Sequence, residues 1–226
     1  MNTFRVLAAL LTYPTERMLA AVPEMKTILR EEGVLPEADQ EALVPLFTEL
    51  AGRDRYDLEA RYIELFDQSR SMSLHLFEHV HGESRDRGQA MVNLLERYRE
   101  AGLELSAREL PDFLPVWLEY LSQLPLDEAR QSLVEPLAVL TTLGRRLAKR
   151  ESSYAAVLSA LEHMAQAQPD EADLQELAQE ETEETRQRQD LDTEWEEKPV
   201  DFTQRETSFV GRQRARSRVA AMKRQP

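Results

Sequence analysis

The spacing of apolar residues constrains the fold most strongly, because it repeats at the period of an α-helix along the first 167 residues. Four stripes have members three or four residues apart, the pattern of helices that each rest one apolar face on a core. They are Phe4, Leu7, Leu10 and Leu11; Leu58, Tyr62, Leu65 and Phe66; Met91, Leu94, Leu95 and Tyr98; and Tyr154, Val157, Leu158, Leu161 and Ala165. No stretch alternates apolar and polar residues long enough to predict a strand, so the chain is predicted to be all-α.

Residues that typically begin or end helices separate these stripes. Thr15 and Ser84 are predicted to cap the starts of helices, and Gly102 to end the third stripe. Residues 106–109 match a capping box, but the proline that follows so soon indicates that the regular helix begins at 111 or 112. These signals predict well-defined helix ends.

The second half of the body contains two further boundary signals. Asp127 can cap a helix, and Pro136 is expected to kink or break it. The apolar stripes and the residues that end helices together predict a single compact multi-helix bundle of about eight or nine helices with short links.

Charge divides the chain into a body and a tail. Residues 1–167 hold 27 acids and 18 bases, a charge of −9, whereas residues 168–204 hold 14 acids and 3 bases, a charge of −11. Residues 205–226 hold 1 acid and 7 bases, a charge of +6. We predict a helical body at 1–167 and a charged tail at 168–226 that is partly helical around 170–188 and otherwise disordered. An acidic body repels nucleic acid and attracts basic peptides, and the basic end is interpreted as solvated.

The best enzymatic match is H-x-x-E-H at His75, Glu78 and His79, the signature of inverted zinc peptidases. On one helix the two histidines would share a face and Glu78 could act as general base, but no motif supplies a third ligand. The chain has no cysteine, no phosphate-binding glycine loop and no G-x-S-x-G. Residues 77–88, FEHVHGESRDRG, are therefore interpreted as a polar binding patch rather than a catalytic centre.

The first residues, MNTFRVLAALLTYP, lack the cleavage site of a signal peptide, and no apolar run is long enough to span a membrane. These features predict a soluble, unprocessed protein, and the absence of cysteine fits the cytoplasmic location that the resemblance described next implies.

Two long stretches resemble the NarJ-type chaperones that assemble respiratory nitrate reductase, within the group of redox-enzyme maturation chaperones. They are SLHLFEHVHGESRDRGQAMVNLL at 73–95 and ARELPDFLPVWLEYLSQLP at 107–125. Shorter likenesses are YP at 13–14, RYIELFD at 61–67, KRESSY at 149–154 and WEEKPVDF at 195–202.

The resemblance implies a chaperone and not an enzyme. Such a protein binds the N-terminal leader-like segment of the apo catalytic (alpha) subunit of nitrate reductase. It holds the subunit until the molybdenum bis-(molybdopterin guanine dinucleotide) cofactor is inserted and delays docking to the membrane subunit. It binds no cofactor stably itself, and cofactor-biosynthesis proteins are further possible partners. A chaperone for a different molybdoenzyme stays open as an alternative.

The family pattern maps onto residues that we predict to bind the client peptide. They are Leu65, Phe66, Glu78, His79, His81, Glu83, Ser84, Arg87, Asp112, Glu119 and Tyr120. The chain departs from the pattern at His75, where relatives often carry an apolar residue, and at Phe113, where many carry histidine.

A client segment with apolar and basic residues would fit a groove with an apolar floor and an acidic rim. Leu65, Phe66, Leu76 and Phe77 can supply the floor, and Glu64, Asp67, Glu78 and Glu83 the rim. Asp112 and Glu119 lie seven residues apart and are predicted to share a helix face that extends the rim. In the alternative interpretation, the aromatic residues are core, and Ser84 and Arg87 cap and tether a helix.

Overall fold

The computed structural model describes residues 1–80, 86–105 and 109–179, and within them it is all-helical, as predicted. The described residues contain eleven α-helices with defined ends, one short 3-10 helix and the helical residues 171–179, and they contain no strand. The helices are α1 Asn2–Leu10, α2 Glu16–Glu32, α3 Glu37–Ala42, α4 Val44–Gly52, α5 Arg55–Phe66, the 3-10 helix Arg70–Met72, α6 Leu76–Val80, α7 Asp86–Glu100, α8 Leu114–Leu121, α9 Leu126–Ser132, α10 Leu137–Lys149 and α11 Ala155–Ala165.

Several predicted boundaries are confirmed. The Thr15 side chain accepts a hydrogen bond from the Met18 amide and caps α2. Gly102 follows the end of α7 with a φ of 75°, a backbone conformation that glycine adopts without strain. Pro136 separates α9 from α10. The predicted cap Ser84 and residues 106–108 of the capping box lie outside the described residues.

Three predictions about helices were wrong. Asp127 does not cap α9, because the helix already begins at Leu126 after Pro125. Helix α8 begins at Leu114, later than 111 or 112. The described residues also contain more helices than eight or nine, because α3 and α6 have only 6 and 5 residues. Helices that short are below the length at which an apolar period can be recognised.

Every member of the first, second and fourth apolar stripes is buried, as expected, whereas in the third stripe Leu94 and Tyr98 are buried and Met91 and Leu95 are only half-buried. Helix α10 packs on α11, and α1 packs on both α2 and α8. Gly144 allows the closest approach of α10 and α11, because a Cβ atom at this position would lie 3.2 Å from Cβ of Leu158.

The helical residues 171–179 also pack on this core, through the buried Leu174 and Leu177. The side chain of Arg146, which is only 4% exposed, donates hydrogen bonds to the Ser71 carbonyl at 2.6 Å and to the Leu177 carbonyl at 2.7 Å. One buried guanidinium therefore joins α10, the 3-10 helix and the segment 171–179. The division of the chain at residue 167 stays a prediction, and the rest of the tail lies outside the described residues.

None of the helices in the part of the chain that the structure describes is long and apolar enough to cross a membrane.

Candidate functional site

A pocket of about 520 Å³ lies beside the C-terminal end of α5, next to the 3-10 helix. Three residues that the sequence predicts to bind the client, Phe66, Glu78 and Arg87, line it. The other lining residues are Tyr62, Asp67, Ser69, Arg70, Ser73, Leu74, His75 and Phe113. Its volume falls within the range of about 300–1,000 Å³ that is typical of ligand sites.

Backbone pairing brings two distant parts of the chain together at this pocket. The Leu76 amide donates to the Asp112 carbonyl at 3.0 Å, and the Leu114 amide donates to the Leu74 carbonyl at 2.8 Å. His75 and Phe113 thus form an antiparallel bridge, with their rings 5.2 Å apart. The pairing places the start of α8 against the residues that lead into α6.

Asp112 anchors this arrangement from inside. Its carboxylate is completely buried and accepts hydrogen bonds from the Phe77 amide at 3.1 Å and from His75 Nδ1 at 3.2 Å. A guanidinium nitrogen of Arg87 lies 3.9 Å from the same carboxylate. A side chain without exposed surface positions its neighbours and does not touch a client in this conformation. We therefore assign Asp112 a supporting place under the pocket.

The rim of the pocket carries charges of both signs. Arg87 and Glu78 form an ion pair at 3.3 Å, and about a quarter of each side chain is exposed. Arg70 donates to the Glu78 backbone carbonyl at 2.8 Å. Asp67 is exposed at the end of α5. The predicted acidic rim is thus present at Asp67 and Glu78, but two arginines accompany it, and Glu64 is exposed without lining the pocket.

His79 is buried, with 8% exposure, and its Nε2 donates to the Ser73 carbonyl at 2.8 Å. Burial lowers the pKa of this imidazole, so the neutral form is favoured. His79 therefore holds the backbone of the pocket wall in this conformation. It does not share a helix face with His75, which precedes α6, so the zinc-peptidase arrangement does not form. Among the described residues no cluster of three or more acidic or histidine side chains could hold a metal ion.

The floor of the pocket is aromatic. Tyr62, Phe66 and Tyr154 pack together, with Phe66 4.9 Å from Tyr62 and 5.3 Å from Tyr154 between ring centroids. The Tyr62 hydroxyl donates to the Leu11 carbonyl at 2.9 Å. Phe66 is at once core and floor, because it is 4% exposed and lines the pocket. Leu65 is buried and does not line it.

Glu119 and Tyr120 are not brought to the pocket. Glu119 is exposed on α8, and Tyr120 is partly buried with its ring 5.0 Å from that of Tyr98. The prediction that Asp112 and Glu119 share a helix face was wrong, because Asp112 precedes α8 and is completely buried. The remaining predicted client-binding residues, His81, Glu83 and Ser84, lie outside the described residues.

Three lining residues, Ser69, Arg70 and Ser73, were not predicted to belong to the site. A signal was present, since the polar run DQSRS at 67–71 follows a buried stripe and precedes the buried Met72 and Leu74. A polar run between two buried segments is typical of a loop at the edge of a cavity.

The contact between His75 and Asp112 makes stability depend on pH. The hydrogen bond to Asp112 raises the pKa of His75, against the opposing effect of burial. A raised pKa in the folded state contributes stability that is fully present below about pH 6.5 and is lost as pH rises through the folded value. We expect the wild type to lose stability relative to the His75→Gln variant as pH rises through this window. Urea unfolding of both proteins across this pH window measures the difference in stability. Parallel pH profiles would contradict the prediction. The contribution of His79 cancels, because both proteins contain it.

Comparison with known proteins gives the family. The model of the nitrate reductase delta subunit family matches residues 32–195, which is most of the chain. The chain belongs to this family. Its membership confirms the resemblance to NarJ-type chaperones that the central stretches indicate.

Individual members of the family point the same way. The chain is 44% identical over 198 residues to the nitrate reductase molybdenum cofactor assembly chaperone NarJ of Escherichia coli (strain K12), covering 87% of this chain and 83% of that protein. It is 39% identical to the probable assembly chaperone NarW of the same strain, over 89% of this chain and 84% of that protein. It is 31% identical to the probable assembly chaperone NarJ of Bacillus subtilis (strain 168), over 70% and 85%. These relatives are chaperones, which agrees with the prediction that the chain is not an enzyme.

Proposed function

We propose that this chain is the assembly chaperone of a respiratory nitrate reductase, acting in the cytoplasm on the apo catalytic subunit. It binds the N-terminal leader-like segment of that subunit and assists insertion of the molybdenum bis-(molybdopterin guanine dinucleotide) cofactor before the complex docks at the membrane. Identity to assembly chaperones over most of the chain supports the assignment. The cofactor is cargo for the client subunit and not a resident group of this chain.

The observation that carries the proposal is the pocket beside α5. Its floor is formed by aromatic and aliphatic side chains, Tyr62, Phe66, Leu74 and Phe113, and charged groups surround it. Peptide-binding grooves are built this way, because apolar anchors supply affinity and charges at the rim select the partner and its orientation. The pocket thus suits one or a few apolar side chains of a client segment that also carries charge.

Binding without chemistry is sufficient for such a chaperone. Micromolar affinity corresponds to about −8 kcal/mol, which a few buried anchors can provide. Affinity of this order lets the chaperone hold the immature subunit and release it when the folded, cofactor-loaded subunit no longer presents the segment. The net charge of −14 attracts a basic segment, and salt weakens that attraction.

Asp67 is the sharpest probe of the pocket, because it is exposed, lines the pocket and, unlike Glu78, forms no ion pair with another described residue. We expect Asp67→Lys to weaken binding of a peptide of the nitrate reductase N-terminal segment about tenfold, since it reverses a charge at the rim. Isothermal titration calorimetry at two salt concentrations measures the dissociation constant. The matched control is Glu31→Lys, which makes the same charge change at an exposed site near the end of α2.

Equal dissociation constants for Asp67→Lys and Glu31→Lys would remove this pocket from the binding site. Failure of the wild type to bind the peptide, in calorimetry and in a competition assay, would contradict the proposed function itself. Leader peptides from other molybdoenzymes, titrated in parallel, test whether the chaperone serves a different client.

A further inference from the structure

The solvent-facing side of α5 carries large apolar side chains that no described part of the chain covers. Tyr56 is 67% exposed and Ile63 is 42% exposed. They lie seven residues apart, which places them on the same face of the helix, about 10 Å apart along its axis. The exposed Ala60 lies between them. The outer face of α5 thus presents a two-turn apolar stripe, on the side opposite the buried Leu58, Tyr62 and Leu65.

The stripe reaches the pocket at Asp67, and Tyr13 lies beside the pocket residue Tyr62. The Tyr13 side chain is 38% exposed, and its ring packs edge-on against that of Tyr62 with 5.6 Å between centroids. Tyr62 in turn lines the pocket. Burial and the neighbouring Glu59 carboxylate raise the pKa of the Tyr13 hydroxyl. Tyr13 therefore lies close both to the pocket residue Tyr62 and to Glu59, one turn before Ile63 on α5.

The charges along this surface are mainly negative. Asp67 lies one turn beyond Ile63 on the same face and also lines the pocket. Glu59 and Glu16 share the guanidinium of Arg55, at 3.4 Å and 3.9 Å. That guanidinium also lies over the Tyr56 ring, 4.8 Å from its centroid. Three carboxylates against one arginine leave a net charge of −2, which complements a basic partner.

We infer that the outer face of α5 and Tyr13 form a second docking surface, which binds an apolar and basic segment of the client adjoining the residues held in the pocket. The inference rests on the proposed function. The occupant is identified by complementarity: apolar side chains cover Ile63, Tyr13 and Tyr56, and lysines or arginines face Asp67 and Glu59. An amphipathic helix presents side chains of both kinds at the spacing of this stripe. The client segment is accordingly longer than the pocket alone accommodates.

Ile63→Arg in the full-length chain tests the second surface, because it places a positive charge where a basic, apolar segment would pack. We expect this variant to weaken binding of the client N-terminal peptide at least tenfold, and Ile63→Ser to weaken it about threefold by removing only apolar contact. The matched control is Val134→Arg, since Val134 is 45% exposed between α9 and α10. Circular dichroism and thermal unfolding establish that the variants are folded.

The outcomes separate this inference from the proposed function. Unchanged binding by both Ile63 variants, with Asp67→Lys still weakened, would overturn the second surface and leave the pocket in place. Equal weakening by Val134→Arg would also overturn it, because the effect would then be one of net charge. A concentration-dependent dimer in analytical ultracentrifugation that Ile63→Arg abolishes would assign the surface to a second copy of the chain instead. Failure of the wild type to bind the client N-terminal peptide would contradict the proposed function.

Discussion

The Asp112→Ala variant is expected to lose about 3 kcal/mol of unfolding free energy, a large fraction of the stability of a protein of this size. The buried carboxylate accepts hydrogen bonds from the Phe77 amide and from His75, and alanine leaves both donors without this acceptor. It also removes the carboxylate that faces Arg87. Hydrogen bonds to charged groups contribute about 1.5–3 kcal/mol each, so the combined loss exceeds that of an ordinary surface substitution. Urea unfolding followed by circular dichroism measures the change.

Asp67→Ala is the control for this experiment, because it deletes an exposed carboxylate from the same pocket. Its stability is expected to stay within about 0.5 kcal/mol of the wild type, as for most surface positions. The Asp112→Asn variant keeps the shape of the side chain and can still accept from the Phe77 amide, so its loss is expected to be intermediate. If Asp112→Ala unfolds at the same urea concentration as the control, the carboxylate does not anchor the pocket.

The Arg146→Met variant is expected to lose a comparable amount, about 3 kcal/mol, and to loosen two segments that are far apart in sequence. The guanidinium donates to the Ser71 and Leu177 carbonyls, and methionine fills similar space without a donor. Because desolvating a charge is costly, removal of the buried guanidinium offsets part of this loss of stability. The two carbonyls remain, however, and a buried acceptor without a partner costs about 1–3 kcal/mol. The net effect is therefore destabilising.

Hydrogen exchange measures where the loss occurs. Amides of 70–73 and 171–179 are expected to exchange faster in Arg146→Met, whereas those of α1 and α8 are expected to change less, because global unfolding alone would affect all segments. Arg145→Met is the matched control, since Arg145 is the exposed neighbour on the same helix. A uniform change along the chain would show that Arg146 stabilises the core without joining these two segments.

Helical features that depend on neighbouring residues were accessible from the sequence. Leu58, Tyr62, Leu65 and Phe66 are all buried on α5, as their spacing predicts. The Thr15 cap is confirmed in the same way, because it depends only on residues within one turn. Burial on a helix face and helix capping depend on residues close together in the chain, so the pattern in one sequence is sufficient to predict them.

Features of the site that depend on distant residues were not accessible. Asp112 and Glu119 have the spacing of one helix face, but the pairing of 112–114 with 74–76 delays the start of α8. His79 lies in a polar stretch of the sequence, yet its side chain is buried in the wall of the pocket. Arg70 was overlooked although it lies in a polar run, because its contact with the Glu78 carbonyl joins residues on different elements. Each of these outcomes depends on a tertiary contact, which the spacing of apolar residues along the sequence does not reveal.

The sequence alone determined that the body is helical, where several of its helices begin and end, and which family of chaperones it resembles. Only the tertiary structure decided which polar side chains face the pocket, which of them support it from beneath, and that Tyr56 and Ile63 stay exposed on the outer face of α5. The physical reason is the range of the interactions. Helix formation depends on residues within a turn or two, whereas the pocket depends on contacts such as that between His75 and Asp112, which are 37 residues apart.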